Sequence, residues 1–255
     1  MRSLLNSLLL ATGMFCLGSA YAEAPLKVIV CAGQSNMLGK RSTVAELPEA
    51  LQGTQQNLLI NSESDGWEPL VPGKSYGKYQ AKGFGPEVSF AAALSAALNE
   101  PIGIIKHSQG GTNLAGQWGD GKPYERLAEA VQKAKASKNI EIIAMLWMQG
   151  ESDSIDQAMA ESYRANLEAL IQRCRDDFES PNMIFIAARV NPEGERFAYT
   201  DVVRKAQETC SAANYAYIDC DSLPKVDDGV HYSTAGIVEM GQHFADKLIT
   251  LTGEK

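Results

Sequence analysis

Three residues, one near the start of this chain and two near its end, have the side-chain types needed for nucleophilic catalysis: Ser35, Asp228 and His231. A serine hydroxyl is a weak nucleophile at neutral pH. It needs an imidazole within hydrogen-bond reach to take its proton, and the imidazole needs a carboxylate to fix its tautomer and orientation. Ser35 stands behind Gly33-Gln34, just past an apolar run over 26–31. Asp228 and His231 are three positions apart, so one loop can present both side chains to the same place. The other two histidines are weaker candidates for the base. His107 follows an apolar run and fits the rim of a sheet, and His243 falls inside a helical pattern.

Taken alone, Gly-x-Ser reads as a turn, and so does Asp-x-x-His. Two further loops change that reading. The apolar run over 102–106 leads into His107-Ser108-Gln109-Gly110-Gly111-Thr112-Asn113-Leu114, and the run over 140–147 leads into Met148-Gln149-Gly150-Glu151-Ser152-Asp153. Acyl transfer builds negative charge on the substrate oxygen, and each preorganised donor aimed at that oxygen is worth about 3–4 kcal/mol. The candidate donors are the backbone N–H groups of Ser35 and Gly111 and the side-chain amide of Gln149. Glycine at 110 and 111 lets the main chain come close and adopt positive φ. Glu151 has two readings: it anchors its own loop, or it joins Asp228 in preparing His231.

The elements that must position these residues alternate along the chain. Apolar runs at 26–31, 102–106, 140–147, 183–188 and 215–219 read as strands, with helical patterns over 86–99, 124–137, 156–177 and 197–212 and from 233 or 234 to 251. This alternation implies an α/β fold: a three-layer α/β/α sandwich on a five-stranded parallel sheet of flavodoxin-like order. In such a sheet Ser35 and the three loops converge outside the carboxyl ends of the strands. Residues 39–85 form a long Gly-, Ser- and Pro-rich insertion, with a short strand expected over 57–60. It is expected to shape the pocket through Trp67, Tyr76 and Tyr79.

Four blocks occur in order: Gly33-Gln34-Ser35-Asn36-Met37; Gly110-Gly111-Thr112 with Trp118; Trp147-x-Gln149-Gly150-Glu151-Ser152-Asp153; and Asp228-x-x-His231. Together they resemble the SGNH hydrolase superfamily, in particular its carbohydrate esterase family six and sialate O-acetylesterase-like branch. The resemblance implies Ser35 as nucleophile, His231 as base, Asp228 as its partner, and Ser35, Gly111 and Gln149 as oxyanion donors. It implies removal of acetyl groups from an acetylated carbohydrate through an acetyl-serine intermediate. Serine chemistry of this kind needs neither metal nor cofactor. Asn113, Trp118 and Arg189 are candidates for sugar contacts, Trp118 by stacking. The competing readings are a carbohydrate-binding protein on a retired hydrolase scaffold, and a short-chain lipase or thioesterase on the same fold.

The remaining features bound the setting. Residues 1–22 carry Arg2, an apolar stretch and Ala20-Tyr21-Ala22, the pattern of a secretory signal peptide. Residues 23–255 are then one hydrolase domain, secreted or periplasmic, with no membrane contact after cleavage. The net charge is −8 and no basic run exceeds two residues, which argues against nucleic acid as a partner. Cys31 reads as a buried thiol, and Cys210 with Cys220 is the most local of the disulfides open to Cys31, Cys174, Cys210 and Cys220. No Cys or His spacing suggests zinc.

Overall fold

The computed structural model describes residues 24–253 apart from 54, 62, 64 and 74–82. The expected leader, Tyr76 and Tyr79 lie outside the described residues. The strands are β1 (Leu26–Gly33), β2 (Leu58–Asn61), β3 (Glu68–Pro69), β4 (Gly103–Ser108), β5 (Ile140–Met148), β6 (Ile184–Ala188) and β7 (Tyr215–Ile218), in the order β3-β2-β4-β1-β5-β6-β7, and all but β3 grow from apolar runs. All pairings are parallel except β2 with β3. Val28 to Ala32 of β1 are wholly buried, as expected of a central strand covered on both faces.

The five strands β4-β1-β5-β6-β7 have the flavodoxin-like order expected. The sheet as a whole has seven strands rather than five, because the 39–85 insertion adds two of its own. Leu58 to Asn61 lie parallel to Gly103 to Lys106, and β3 folds back antiparallel on β2. Trp67, from the same insertion, packs its indole against Gly103 at the start of β4. That is the amino end of the strand, opposite the edge where Ser35 lies, so Trp67 does not shape the pocket.

The helices are α1 (Ser35–Leu38), α2 (Glu49–Gln52), α3 (Glu87–Leu98), α4 (Lys122–Ser137), α5 (Gln157–Asp177), α6 (Thr200–Glu208) and α7 (Thr234–Thr252). The long ones make the outer layers, and α1 sits at the end of β1. α3 packs on α7, where Ser89 Oγ donates to the Val238 carbonyl at 2.8 Å, and α5 packs on α6. Ser233 caps α7 by accepting from the Gly236 N–H, and Asp156 caps α5 by accepting from Met159. Glu87 and Lys106 form a buried ion pair, 2.5 Å apart, that ties α3 to β4.

Cys31, Cys174, Cys210 and Cys220 are all free thiols, so the Cys210–Cys220 pairing is not formed. The two face different surroundings. Half-buried Cys210 sits near Glu168, Arg164 and Arg175 of α5, whereas buried Cys220 lies near Asp219, Asp221 and Glu151.

One contact at the end of β1 sets where the next residues go. Gly33 has φ of 146°, and a Cβ there would fall on the Met148 carbonyl of β5. The same carbonyl accepts the Gln34 N–H at 2.8 Å. Only glycine combines this backbone with so close an approach. Gly33→Ala is therefore expected to cost about 3 kcal/mol. Urea unfolding reads it as a lower midpoint at unchanged slope; a wild-type midpoint would show that the turn accepts a methyl group.

Candidate active site

Ser35 is the first residue of α1, a single helical turn that follows β1 directly. The turn closes tightly around it: the N–H groups of Gly39 and Lys40 both donate to the Ser35 carbonyl, at 2.9 and 3.0 Å. Gly39, with φ of 85°, ends the turn. His231 comes from the loop between β7 and α7. Its Nε2 lies 2.9 Å from Ser35 Oγ, and its Nδ1 lies 2.8 Å from Asp228 Oδ2. A proton on Nδ1 donated to Asp228 leaves Nε2 free to accept from the serine hydroxyl.

Asp228 also shapes the loop that carries it. Its Oδ1 accepts from the backbone N–H groups of Val230 at 3.0 Å and His231 at 2.8 Å. Burial alone would raise its pKa, but these N–H groups and the imidazole outweigh burial and hold the carboxyl well below the usual range. Arg41 also pairs with it, its Nε 3.4 Å from Asp228 Oδ2. Nothing in its local sequence marks Arg41, because the contact joins a residue just after the first strand to one in the loop after the last.

The loop after β4 lies against the nucleophile. The Gln109 N–H donates to the Gly33 carbonyl at 3.0 Å. A Cβ on Gly110 would sit 3.6 Å from that of Ser35, and Gly111 has φ of 71°. Among the described residues, no protein acceptor takes the N–H of Ser35 or of Gly111. Gln149 differs from expectation. It is wholly buried, and its amide nitrogen is committed to the Thr112 carbonyl at 2.9 Å, Asp153 Oδ2 at 2.5 Å and Gln34 Oε1 at 3.2 Å. Both N–H groups of the amide are thus taken up within the protein, in holding the Gly-rich loop, rather than left free for an oxyanion.

Of the candidates for sugar contacts, Trp118 and Arg189 are engaged elsewhere, and Asn113 is engaged through its side-chain oxygen. Trp118 is wholly buried, stands edge-on to Trp147 at 5.0 Å, and donates its indole N–H to Thr112 Oγ at 2.9 Å. It braces the loop from inside and has no face free for stacking. Asn113 uses its side-chain oxygen to cap the π-helical turn Leu114–Trp118 through the N–H groups of Gly116 and Gln117. Arg189 is enclosed by Glu208, Asp219 and Asp221, each at 2.7 Å, and ties the ends of β6 and β7 to α6.

His107 lies inside β4, its ring 6.1 Å from Trp118, and burial with the nearby Arg126 pushes its pKa down to about 4. His243 Nδ1 meets the Asp219 carbonyl from α7. Glu151 Oε1 accepts from Asn36 Nδ2 at 2.6 Å, and the carboxylate on His231 Nδ1 is Asp228. Asn36 and Asp153 had no role in the sequence reading, although both stand inside its motifs. Asp153 accepts from the Leu114 N–H as well as from Gln149. Among the described residues no group of three or more His, Cys, Asp or Glu side chains is placed to hold a metal ion. No described helix is long and apolar enough to cross a membrane.

Residues 25–250 match the family described as carbohydrate esterase, sialic acid-specific acetylesterase. A probable carbohydrate esterase of Arabidopsis thaliana, At4g34215, is 29% identical over 244 residues, covering 89% of this chain and 91% of its own. The X-ray structure of the protein from that locus superposes with a TM-score of 0.79 at 26% identity, covering 89% of this chain and 99% of the other. The fold is shared with NanS, at a TM-score of 0.70, 14% identity and coverage of 91% and 98%. It is also shared with XAC1771, a carbohydrate acetylesterase from Xanthomonas citri, at 0.67, 18% identity and coverage of 89% and 57%.

Burial pushes the Glu151 carboxyl from an ordinary 4.5 up to about 7, against the opposing pull of its own N–H and of Asn36. Between those two values the folded chain keeps a proton that the unfolded chain has released. Folding stability therefore falls as pH rises from 4.5 to about 7. Asp228, held low, acts in the opposite sense and only below its ordinary 3.8. Glu151→Gln is expected to flatten the decline, measured as unfolding free energy in urea across this window; an unchanged slope would place the titration elsewhere.

Proposed function

The chain belongs to the sialic acid-specific acetylesterase family of carbohydrate esterases, and from that premise we propose that it is an exported serine esterase that removes O-acetyl groups from carbohydrates. The observation that carries the serine mechanism is the continuous hydrogen-bonded path from Ser35 Oγ through both ring nitrogens of His231 to Asp228. Export rests on the leader pattern of residues 1–22.

The proposed reaction runs in two halves. Ser35 Oγ attacks the acetyl carbonyl carbon while its proton passes to His231 Nε2. Asp228 stabilises the imidazolium that forms and keeps the ring in the productive orientation. The carbonyl oxygen becomes an oxyanion, and the N–H groups of Ser35 and Gly111 are the donors for it. Collapse of the tetrahedral intermediate breaks the bond to the sugar oxygen, which takes the proton from His231. Ser35 is left acetylated and the sugar alcohol departs. Water, deprotonated by His231, then attacks the acetyl carbon. Acetate leaves and Ser35 recovers its proton.

Gln149 takes an indirect part in this scheme. Its bond to the Thr112 carbonyl helps to hold the loop that carries the Gly111 N–H. The acetylated-carbohydrate substrate is supported by the family and by the relative named as a probable carbohydrate esterase.

The purified protein is expected to release acetate from p-nitrophenyl acetate and from acetylated sugars. Ser35→Ala should lower the rate by about a thousandfold or more, and a fluorophosphonate should label Ser35 in the wild type. Full activity of Ser35→Ala would sink the serine mechanism. Acetate release compared across acetylated sialic acid, acetylated xylan and simple acetylated sugars assigns the substrate.

A further inference from the structure

The position of His231 relative to Ser35 depends on a residue that touches neither reacting atom. Asn36 follows Ser35 in the same one-turn helix and is 1% exposed. Its Nδ2 donates to the Val230 carbonyl at 3.1 Å, and its Oδ1 accepts from the Tyr232 N–H at 3.1 Å. Those two groups belong to the peptide units immediately before and after His231. One side chain therefore grips the backbone on both sides of the base. The remaining N–H of the Asn36 amide is directed at Glu151 Oε1, 2.6 Å away.

We propose that Asn36 is the positioning residue for His231, and that Glu151 acts through Asn36 by fixing the orientation of its amide. This rests on the serine-esterase reading above, and it specifies how that site is held together.

Three features favour it over a general structural role. Asn36 and the nucleophile are adjacent in a rigid turn, so whatever Asn36 holds is placed directly relative to Ser35. The amide has opposite polarity at its two ends, and Glu151 removes the ambiguity. In the ionised form, which the carboxyl takes above about pH 7, both its oxygens only accept, so the amide nitrogen must face it and the amide oxygen is left for the Tyr232 N–H. Burial of Glu151 is otherwise unfavourable. Its Oε2 finds no partner among the described residues, and neither does the nearby Tyr232 Oη. The contact with Asn36 is thus the side-chain interaction that the buried carboxyl does make.

The test compares full-length wild type, Asn36→Ala, Glu151→Gln and Glu151→Ala, with Ser35→Ala as the blank. The readouts are kcat and KM for p-nitrophenyl acetate and the rate of fluorophosphonate labelling of Ser35. Misplacing His231 by about 1 Å should cost Asn36→Ala about a hundredfold in kcat and in labelling rate while KM stays nearly constant. Glutamine at 151 keeps an acceptor for the Asn36 amide and should recover most of what alanine at 151 loses. A folded Asn36→Ala that labels at the wild-type rate overturns the proposal. So does an equal effect of Gln and Ala at position 151, which also decides the matter should Asn36→Ala not fold. Wild-type protein that labels but releases no acetate would instead overturn the acetylesterase reading and leave the labelling comparison in force. Wild-type protein that does not label overturns the serine mechanism itself.

Discussion

The site depends on a 2.9 Å hydrogen bond between two side chains 196 positions apart. Holding such a contact requires both ends to be fixed before they meet, because any freedom left in either must be given up each time the bond forms. The serine end is fixed by the sheet. β1 is the central strand, paired on one side with β4 and on the other with β5, and Ser35 follows it after a single intervening residue. The histidine end has no such strand. Its loop is closed by Val226 N–H donating to the His231 carbonyl, by a lone bridge between Lys225 and Tyr232, and by the side chains of Asp228 and Asn36. The base is thus held by side-chain to backbone bonds as much as by backbone pairing, which gives the polar residues around it a positioning task.

The strand order and the meeting of Ser35, Asp228 and His231 were legible in the sequence for physical reasons. Strands buried on both faces read as continuous apolar runs, and a parallel sheet sends the loop after every strand to the same edge. Residues clustered after several strands must then be neighbours. β2 and β3 were harder to place. Four residues with three apolar side chains are consistent with many settings, and only the unpaired edge of β4 makes Leu58–Asn61 a sheet member.

The direction of individual side chains was far less legible. Trp118 and Arg189 are residue types suited to sugars, but equally to a core and an ion cluster. What decides is the partners. Arg189 is enclosed by Glu208 from α6 and by Asp219 and Asp221 from beyond β7, groups that no local pattern brings together. Trp118 is turned inward by Thr112 and Trp147. Gln149 is a residue type suited to an oxyanion, yet its amide serves Thr112 and Asp153. A residue number and type fix what a side chain can do; its neighbours in space fix which of those things it does.

The segment after β5 explains how two loops from distant parts of the chain come to agree on one geometry. Asp153 binds the N–H of Leu114 and the amide of Gln149, which in turn binds the Thr112 carbonyl; this secures the loop bearing Gly111. Two residues earlier, Glu151 binds Asn36, which secures the loop bearing His231. Two buried carboxylates so close together are unfavourable in themselves, and burial raises the pKa of both. An apolar segment of equal volume would avoid that cost. It would also leave the peptide groups of both loops without the directional partners that set their angles, and a buried peptide group without a partner is itself costly. The polarity of 149–153 is thus what lets one short segment, fixed at the end of a central strand, orient the donor side and the base side of the site together.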